Sequence, residues 1–418
     1  MIEQWLVAQY LNQEIERRLI QEQKLLHVSA SQYNQTKQSA DNNSSSLIQP
    51  NILMRFAWID SDVGNDEPTT ATAIGGMMGF DTPSWGQTHL HVMAYTSQNV
   101  PLLNPVADSM RNDDFFGSEH KGFTYLAEAS LVYETSQIEI EAGRIRIETP
   151  YADSDDIRMA PNTFEGVRGL YSLSDAITLH ALWLSRWAGY DASPEIARFS
   201  PLYEDDARGW GIAAGALEYA LNDDTEINLW YYRVDRMADM MYGSFERVSS
   251  FENVTIEYGI QTAHMSALHD SGIGGTLSGA MALVEYEALF FSIGANYAWV
   301  SQGRSISDGF GGGPYYTSMD ESTIASVSQE APGEDLYSGC IGVGFKLFDT
   351  IALEAVHGQM RTDSGNEWRV ENNLILSGEY HDHVTFEGVA TRYQVKNSSN
   401  PEQNPHIDRM VLRVNYSF

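Results

Sequence analysis

The sequence predicts an all-β fold: a closed transmembrane antiparallel barrel of about 18 strands, with short periplasmic turns and long extracellular loops. Three observations predict it. Segments of roughly ten residues alternate between apolar and small or polar side chains, the period of a strand with two unlike faces. The connections between these segments alternate between short and long. No run of about 18 apolar residues occurs, which excludes a helical span but leaves a barrel, whose lipid face uses every second residue.

Alternation begins at Asn51. Strands are expected to start near residues 52, 72, 89, 123, 138, 164, 177, 209, 226, 240, 254, 276, 289, 337, 351, 368, 384 and 406. The short connections include TPSWGQ, ETSQ, SLSDA, NDDT, FDT and HDH. The long ones fall at about 99–121, 149–163, 190–208, 302–336 and 394–406. Between Val254 and Gln261, Val254, Ile256, Tyr258 and Ile260 oppose Thr255, Glu257, Gly259 and Gln261. In the last strand, Met410, Leu412, Val414, Tyr416 and Phe418 share one face, and Arg409, Arg413, Asn415 and Ser417 share the other. A dry sandwich core would not take Arg, Glu and Asn at alternate positions, whereas a wet lumen requires them. Leu412, Val414, Tyr416 and Phe418 are therefore expected to face lipid. A count of about 16 to 18 strands implies an aqueous lumen narrowed by loops.

Residues 1–50 lack this pattern. Met1 to Leu26 read as an amphipathic helix through Trp5, Leu6, Tyr10, Ile15, Leu19 and Leu25, and residues 27–50 as a polar linker. They show no basic, apolar and small-residue succession of an export signal. They are expected to be foreign to an exported barrel and to add nothing to its pore. The chain thus divides into 1–50 and a barrel domain, 51–418.

The formal net charge of −32 excludes nucleic-acid binding, since no basic face outweighs such a field. In a channel it would draw cations to the mouth. The aromatic content of 11% suits girdles at two membrane interfaces. Cys340, the single cysteine, excludes a disulfide framework and reads as a small strand residue. Asp153, Asp155 and Asp156 lack calcium-loop spacing, and no metal or cofactor is expected.

One stretch is more specific. Gly143-Arg144-Ile145-Arg146-Ile147-Glu148-Thr149-Pro150 leads into Ser154-Asp155-Asp156-Ile157-Arg158-Met159-Ala160-Pro161-Asn162-Thr163-Phe164-Glu165-Gly166. With Ala73–Phe80, Tyr95–Gln98 and the loop Gly311–Glu321, it resembles the OprD-like outer-membrane porins, in the branch found in epsilon-class proteobacteria. The resemblance runs from about residue 51 to Phe418. It implies a monomer or weak homotrimer in the bacterial outer membrane, among bilayer lipid and lipopolysaccharide, inserted by the barrel-assembly machinery. It implies that loops 3 and 7 fold inward, and that a basic ladder on the wall faces acidic loop segments. Arg158 matches the position of the family's loop-3 arginine. The implied function is passive or facilitated diffusion of ions and small hydrophilic solutes, including carboxylate-bearing ones such as amino acids, without enzymatic activity.

Parity supplies further pore candidates. Arg409 and Arg413 share the polar face of the last strand, and Arg168 lies opposite Val167 and Tyr171. His180 and Arg186 share the even face of the seventh strand, and Arg369 sits with Glu371, Asn373 and Ser377. Arg144 and Arg146 follow Ile138 and Ile140 in parity, but a charge at the lipid midplane costs about 2–4 kcal/mol. A bulge at Gly143 is therefore expected to turn both inward. Guanidinium groups bind carboxylates bidentately, so the set suits carboxylate solutes. Asp155, Asp156, Asp320 and Glu321, with Asp153, would form the acidic side. Each arginine could equally serve a wall salt bridge with Glu128, Glu257, Glu354 or Glu387. Other outer-membrane classes compete. A barrel enzyme would use His264, His269 and Asp270, which no nucleophile motif accompanies; an adhesin would use the long loops. A receptor of about 22 strands needs a plug larger than residues 1–50.

Overall fold

Eighteen strands form the wall in the computed structural model. They are β1 (Gln49–Val63), β2 (Thr69–Asp81), β3 (Thr88–Asn99), β4 (Phe123–Glu134), β5 (Ile138–Ile145) and β6 (Thr163–Ser174). Next come β7 (Ile177–Ala188), β8 (Ile212–Asn222), β9 (Thr225–Val234), β10 (Ala238–Phe251), β11 (Val254–Ala267) and β12 (Gly275–Tyr286). The last are β13 (Leu289–Val300), β14 (Leu336–Leu347), β15 (Ile351–Thr362), β16 (Trp368–Tyr380), β17 (Val384–Asn397) and β18 (His406–Ser417). The structure describes residues 48–418 except 65, 108–109, 118–120, 193–195, 203–208, 348–349, 382 and 398–405. The helix and linker expected within residues 1–50 lie almost wholly outside the described residues.

Each strand pairs antiparallel with its successor, and β1 pairs with β18 from Leu53↔Ser417 to Val63↔Ile407. Each expected start lies within about three residues of the observed one. The two faces differ as the alternation requires. On β13, Leu289, Phe291, Ile293 and Trp299 are exposed outside, while Phe290, Ser292, Asn296 and Ala298 are buried inside. On β18, Leu412 and Tyr416 are exposed on the outer face, which Val414 shares, and Phe418 just past its end is exposed too; Val411 and Arg413 are buried. Outward aromatics form two belts. Tyr133, Tyr286, Tyr380 and Tyr416 lie toward the short-turn rim, and Trp183, Tyr231, Trp299 and Tyr337 toward the long-loop rim.

The core lies inside the barrel. Loop 3 (146–162) and loop 7 (301–335) fold into the lumen, where Tyr151, Phe310, Tyr315 and Met319 pack with the wall residues Tyr232, Met240, Met265 and Leu277. A buried loop must satisfy its backbone polar groups. These two do so on each other: Asp153 N donates to Phe310 O (2.8 Å) and Phe310 N to Tyr151 O (3.0 Å). The Tyr151 and Tyr315 hydroxyls meet at 3.2 Å. The seam needs glycine. Gly309 (φ 79°) and Gly311 (φ 90°) press so closely on Tyr151 O and Asp153 O that a Cβ at either would lie 2.4 Å from the oxygen. Loop 7 also carries α1 (Ile324–Glu330), begun by a Thr323/Ser326 capping box. A second apolar cluster was not foreseen: loop 2 (100–122) brings Phe115 and Phe116 against Ala57, Ile59, Ala71 and Met159.

Candidate functional site

Loop 3 is fixed to the wall by ion pairs. Arg55, outward-looking in no respect, is 2% exposed and lies on the lumenal face of β1. Its Nη1 and Nη2 each donate to one Asp156 oxygen at 2.6 Å, a bidentate fork. It also donates to Asn415 Oδ1 (2.7 Å) and Arg158 O (2.9 Å). Arg413 joins Asp156 to Glu387, donating to the Asp156 carbonyl and the Glu387 carboxylate. Burial opposes the charge of Asp156, but the Arg55 charge and hydrogen bonds, with Arg413 and Arg146, hold its carboxyl at about 2.

Arg158 follows two residues on. It is 4% exposed, and its Nε donates to Asp114 of loop 2 at 3.1 Å. Its guanidinium lies 4.8 Å from the ring centroid of Tyr190, in loop 4 (189–211). Across from it, Arg409 pairs with Glu321 of loop 7, and Asp320 accepts from Thr391 Oγ1 (2.6 Å). Glu371 accepts from Glu321 N (3.1 Å) and Ser322 Oγ (2.8 Å). Among the described residues, no protein acceptor takes Nη2 of Arg158 or of Arg409. Loops 2, 3, 4 and 7 and strands β1, β16, β17 and β18 thus converge on one mixed-charge zone.

The acidic loop groups are perturbed. Burial, then the nearby Asp191 charge, lifts Asp155 well above the usual carboxylate range. Burial and Asp320 push Glu321 up to about 7, against Arg409 and Arg158. Burial pushes Asp308 to about 7, although the Thr323 hydroxyl donates to it.

Other expected pore residues lie elsewhere. Arg168 faces the lumen below this zone and is claimed by Glu139 and Glu141, both at 2.8 Å. Arg369 is buried near the long-loop rim, where it ties Glu330 of α1 to Glu367. Arg146 is within electrostatic reach of Glu128 and Tyr95, in a lumenal network where His91 bridges Asp81 (2.7 Å) and Glu128 (3.2 Å).

Two expectations are corrected. Gly143 adopts φ 138°, but the β4–β5 and β5–β6 ladders pass through it without a slip. Arg144 therefore stays on the outer face of Ile138 and Ile140, where it pairs with Glu165 (3.1 Å). The ladder of β6 and β7 instead slips at Ser185. This bulge moves Arg186 to the outer face, 53% exposed, while His180 remains inside beside Trp230. Sequence reading also missed Arg55, although its place between outward Met54 and Phe56 marked it as lumenal, and Asp114, which no motif marked.

No protein-family profile and no curated protein match the sequence. Solved structures do match in fold. OccAB4 of Acinetobacter baumannii aligns with TM-score 0.71 at 14% identity, over 90% of this chain and 100% of its own. OpdK of Pseudomonas aeruginosa, solved with vanillate, aligns with TM-score 0.72 at 13% identity, over 89% and 98%. A BenF-like porin from Pseudomonas fluorescens Pf-5 aligns with TM-score 0.71 at 13% identity, over 89% and 98%. The closed barrel of this chain, with its lumen-filling loops, therefore has the fold of these porins.

Proposed function

We propose that this chain is an outer-membrane porin, a channel for diffusion of ions and small hydrophilic solutes, with a preference for those carrying a carboxylate. The observation that carries the reading is the constriction itself. Loops that fill the lumen converge on Arg158 and Arg409, each with an Nη2 group that, among the described residues, no protein acceptor takes. Guanidinium donors fixed in a narrow passage are suited to a passing carboxylate. The similar OpdK was solved with vanillate, itself a carboxylate, which supports this solute class. The acidic chain as a whole favours cations at the mouth, but that field is screened over about 8 Å at physiological salt. The groups at the constriction are buried and screened less, so its own charges decide what is held there. Insertion by the barrel-assembly machinery, and a monomer or weak homotrimer, belong to the same proposal.

The test is conductance and liposome swelling with refolded protein. Arg158→Ala should raise cation selectivity and slow swelling in small carboxylates by roughly a half-decade, while uncharged sugars pass as before. Equal rates for carboxylates and sugars in both proteins would reduce Arg158 to a loop anchor. The absence of any conductance would end the porin reading.

A further inference from the structure

We propose that Arg144 and Arg186 form a docking point on the outer wall for the phosphate of a glycolipid headgroup in the surrounding leaflet. This rests on the outer-membrane placement above, not on the pore. Both arginines share the outer face, in one ladder row: Arg144 pairs with Glu165, and Glu165 with Arg186. The row lies one step beyond Val167 and Trp183 toward the long-loop rim. Trp183 belongs to the upper aromatic belt, which sits at headgroup level in membrane barrels. A charge there costs only about 0–1 kcal/mol, against about 2–4 at the midplane.

Among the described residues two cations share one carboxylate there, so the patch is net positive within a chain of −32. The two arginines are held differently. Beyond Ala129, β4 has no ladder partner in β5, because the chain leaves the wall after Ile145 to form loop 3. Arg144 spans this notch, donating to Leu126 O (2.8 Å) and to Glu165, with Phe199 of loop 4 at 4.3 Å from its guanidinium carbon. It is a fixed charge. Arg186 is half-exposed, and its contact with Glu165 is 4.0 Å long. Among the described residues no closer acceptor takes its fork, and phosphate matches such a fork bidentately. A lipid phosphate is held at this height by its own acyl chains, whereas free phosphate has no such anchor.

The full chain, refolded into phosphatidylcholine nanodiscs, would be titrated with phosphorylated lipid A, dephosphorylated lipid A and inorganic phosphate. Arg186→Gln should weaken phosphorylated lipid A about tenfold, leave the dephosphorylated form unchanged, and leave conductance at the wild-type level. Inorganic phosphate should not compete. Undiminished affinity in the variant, or displacement by inorganic phosphate, overturns the proposal. A changed conductance also overturns it, since it would return Arg186 to the lumen. A protein that binds lipid A but conducts nothing leaves this proposal standing and removes the porin reading.

Discussion

Arg55 is the side chain from which loop 3 hangs. Its fork on Asp156 joins the first wall strand to the deepest part of the loop, with one partner almost fully buried and the other 29% exposed. Breaking a buried ion pair costs about 3–5 kcal/mol, and the hydration of Asp156 places this one at or below the low end. Arg55→Ala should therefore leave the barrel folded but release loop 3, with a larger and noisier single-channel current. An unchanged current would show that Arg413 alone holds the loop. Glu321 and Asp308 act differently, because burial raises both to about 7. An acid with a raised pKa is charged only above that value. Cation selectivity should therefore fall as the pH is lowered from about 8 to about 6, a range in which ordinary carboxylates stay ionised. Reversal potentials flat across that range would refute this, and Glu321→Gln should reduce the slope while Asp308 keeps part of it.

The loops, not the strands, distinguish this barrel, and the seam between loops 3 and 7 is their narrowest requirement. Gly309→Ala places a Cβ against Tyr151 O at a positive φ, a strain of about 1–3 kcal/mol on a contact that cannot yield without moving backbone. Loop 7 should detach from loop 3, and conductance should rise while the thermal unfolding of the wall barely shifts. Unaltered conductance would mean that the apolar packing of Tyr315 and Met319 suffices. Strands were legible because alternation is a property of each segment alone. What escaped depended on single residues. Ser185 adds one residue to β7 without disturbing its composition, yet it exchanges the faces of everything after it. The cost of a charge in lipid points Arg144 to the lumen. It stays outside because that cost depends on height, and because Phe199 and Leu126 O, distant in sequence, receive the side chain. Asp114 and Phe115 gave no periodic signal, as residues of a folded-in loop give none.

At the scale of the molecule, the wall runs from Gln49 to Ser417, and β1 closes on β18; we propose that residues 1–47 add nothing to it. A chain lacking those residues, refolded from denaturant, should show the conductance and unfolding midpoint of the full chain. Loss of either would give the segment a part in the channel. The closure has a further consequence, for the order of events during folding. Every other wall contact joins neighbours in sequence, but Leu53 must find Ser417. The entropy of closing so long a loop grows only logarithmically with its length, so the equilibrium cost is modest. The waiting time is another matter. Until the last strand arrives, β1 holds an unpaired edge from Leu53 to Val63, open to any strand of a second chain. Refolding should thus divide between two fates, a first-order ring closure and a bimolecular edge-to-edge capture. The yield of closed barrel should rise on dilution, and a truncation that removes β18 should leave capture as the sole outcome.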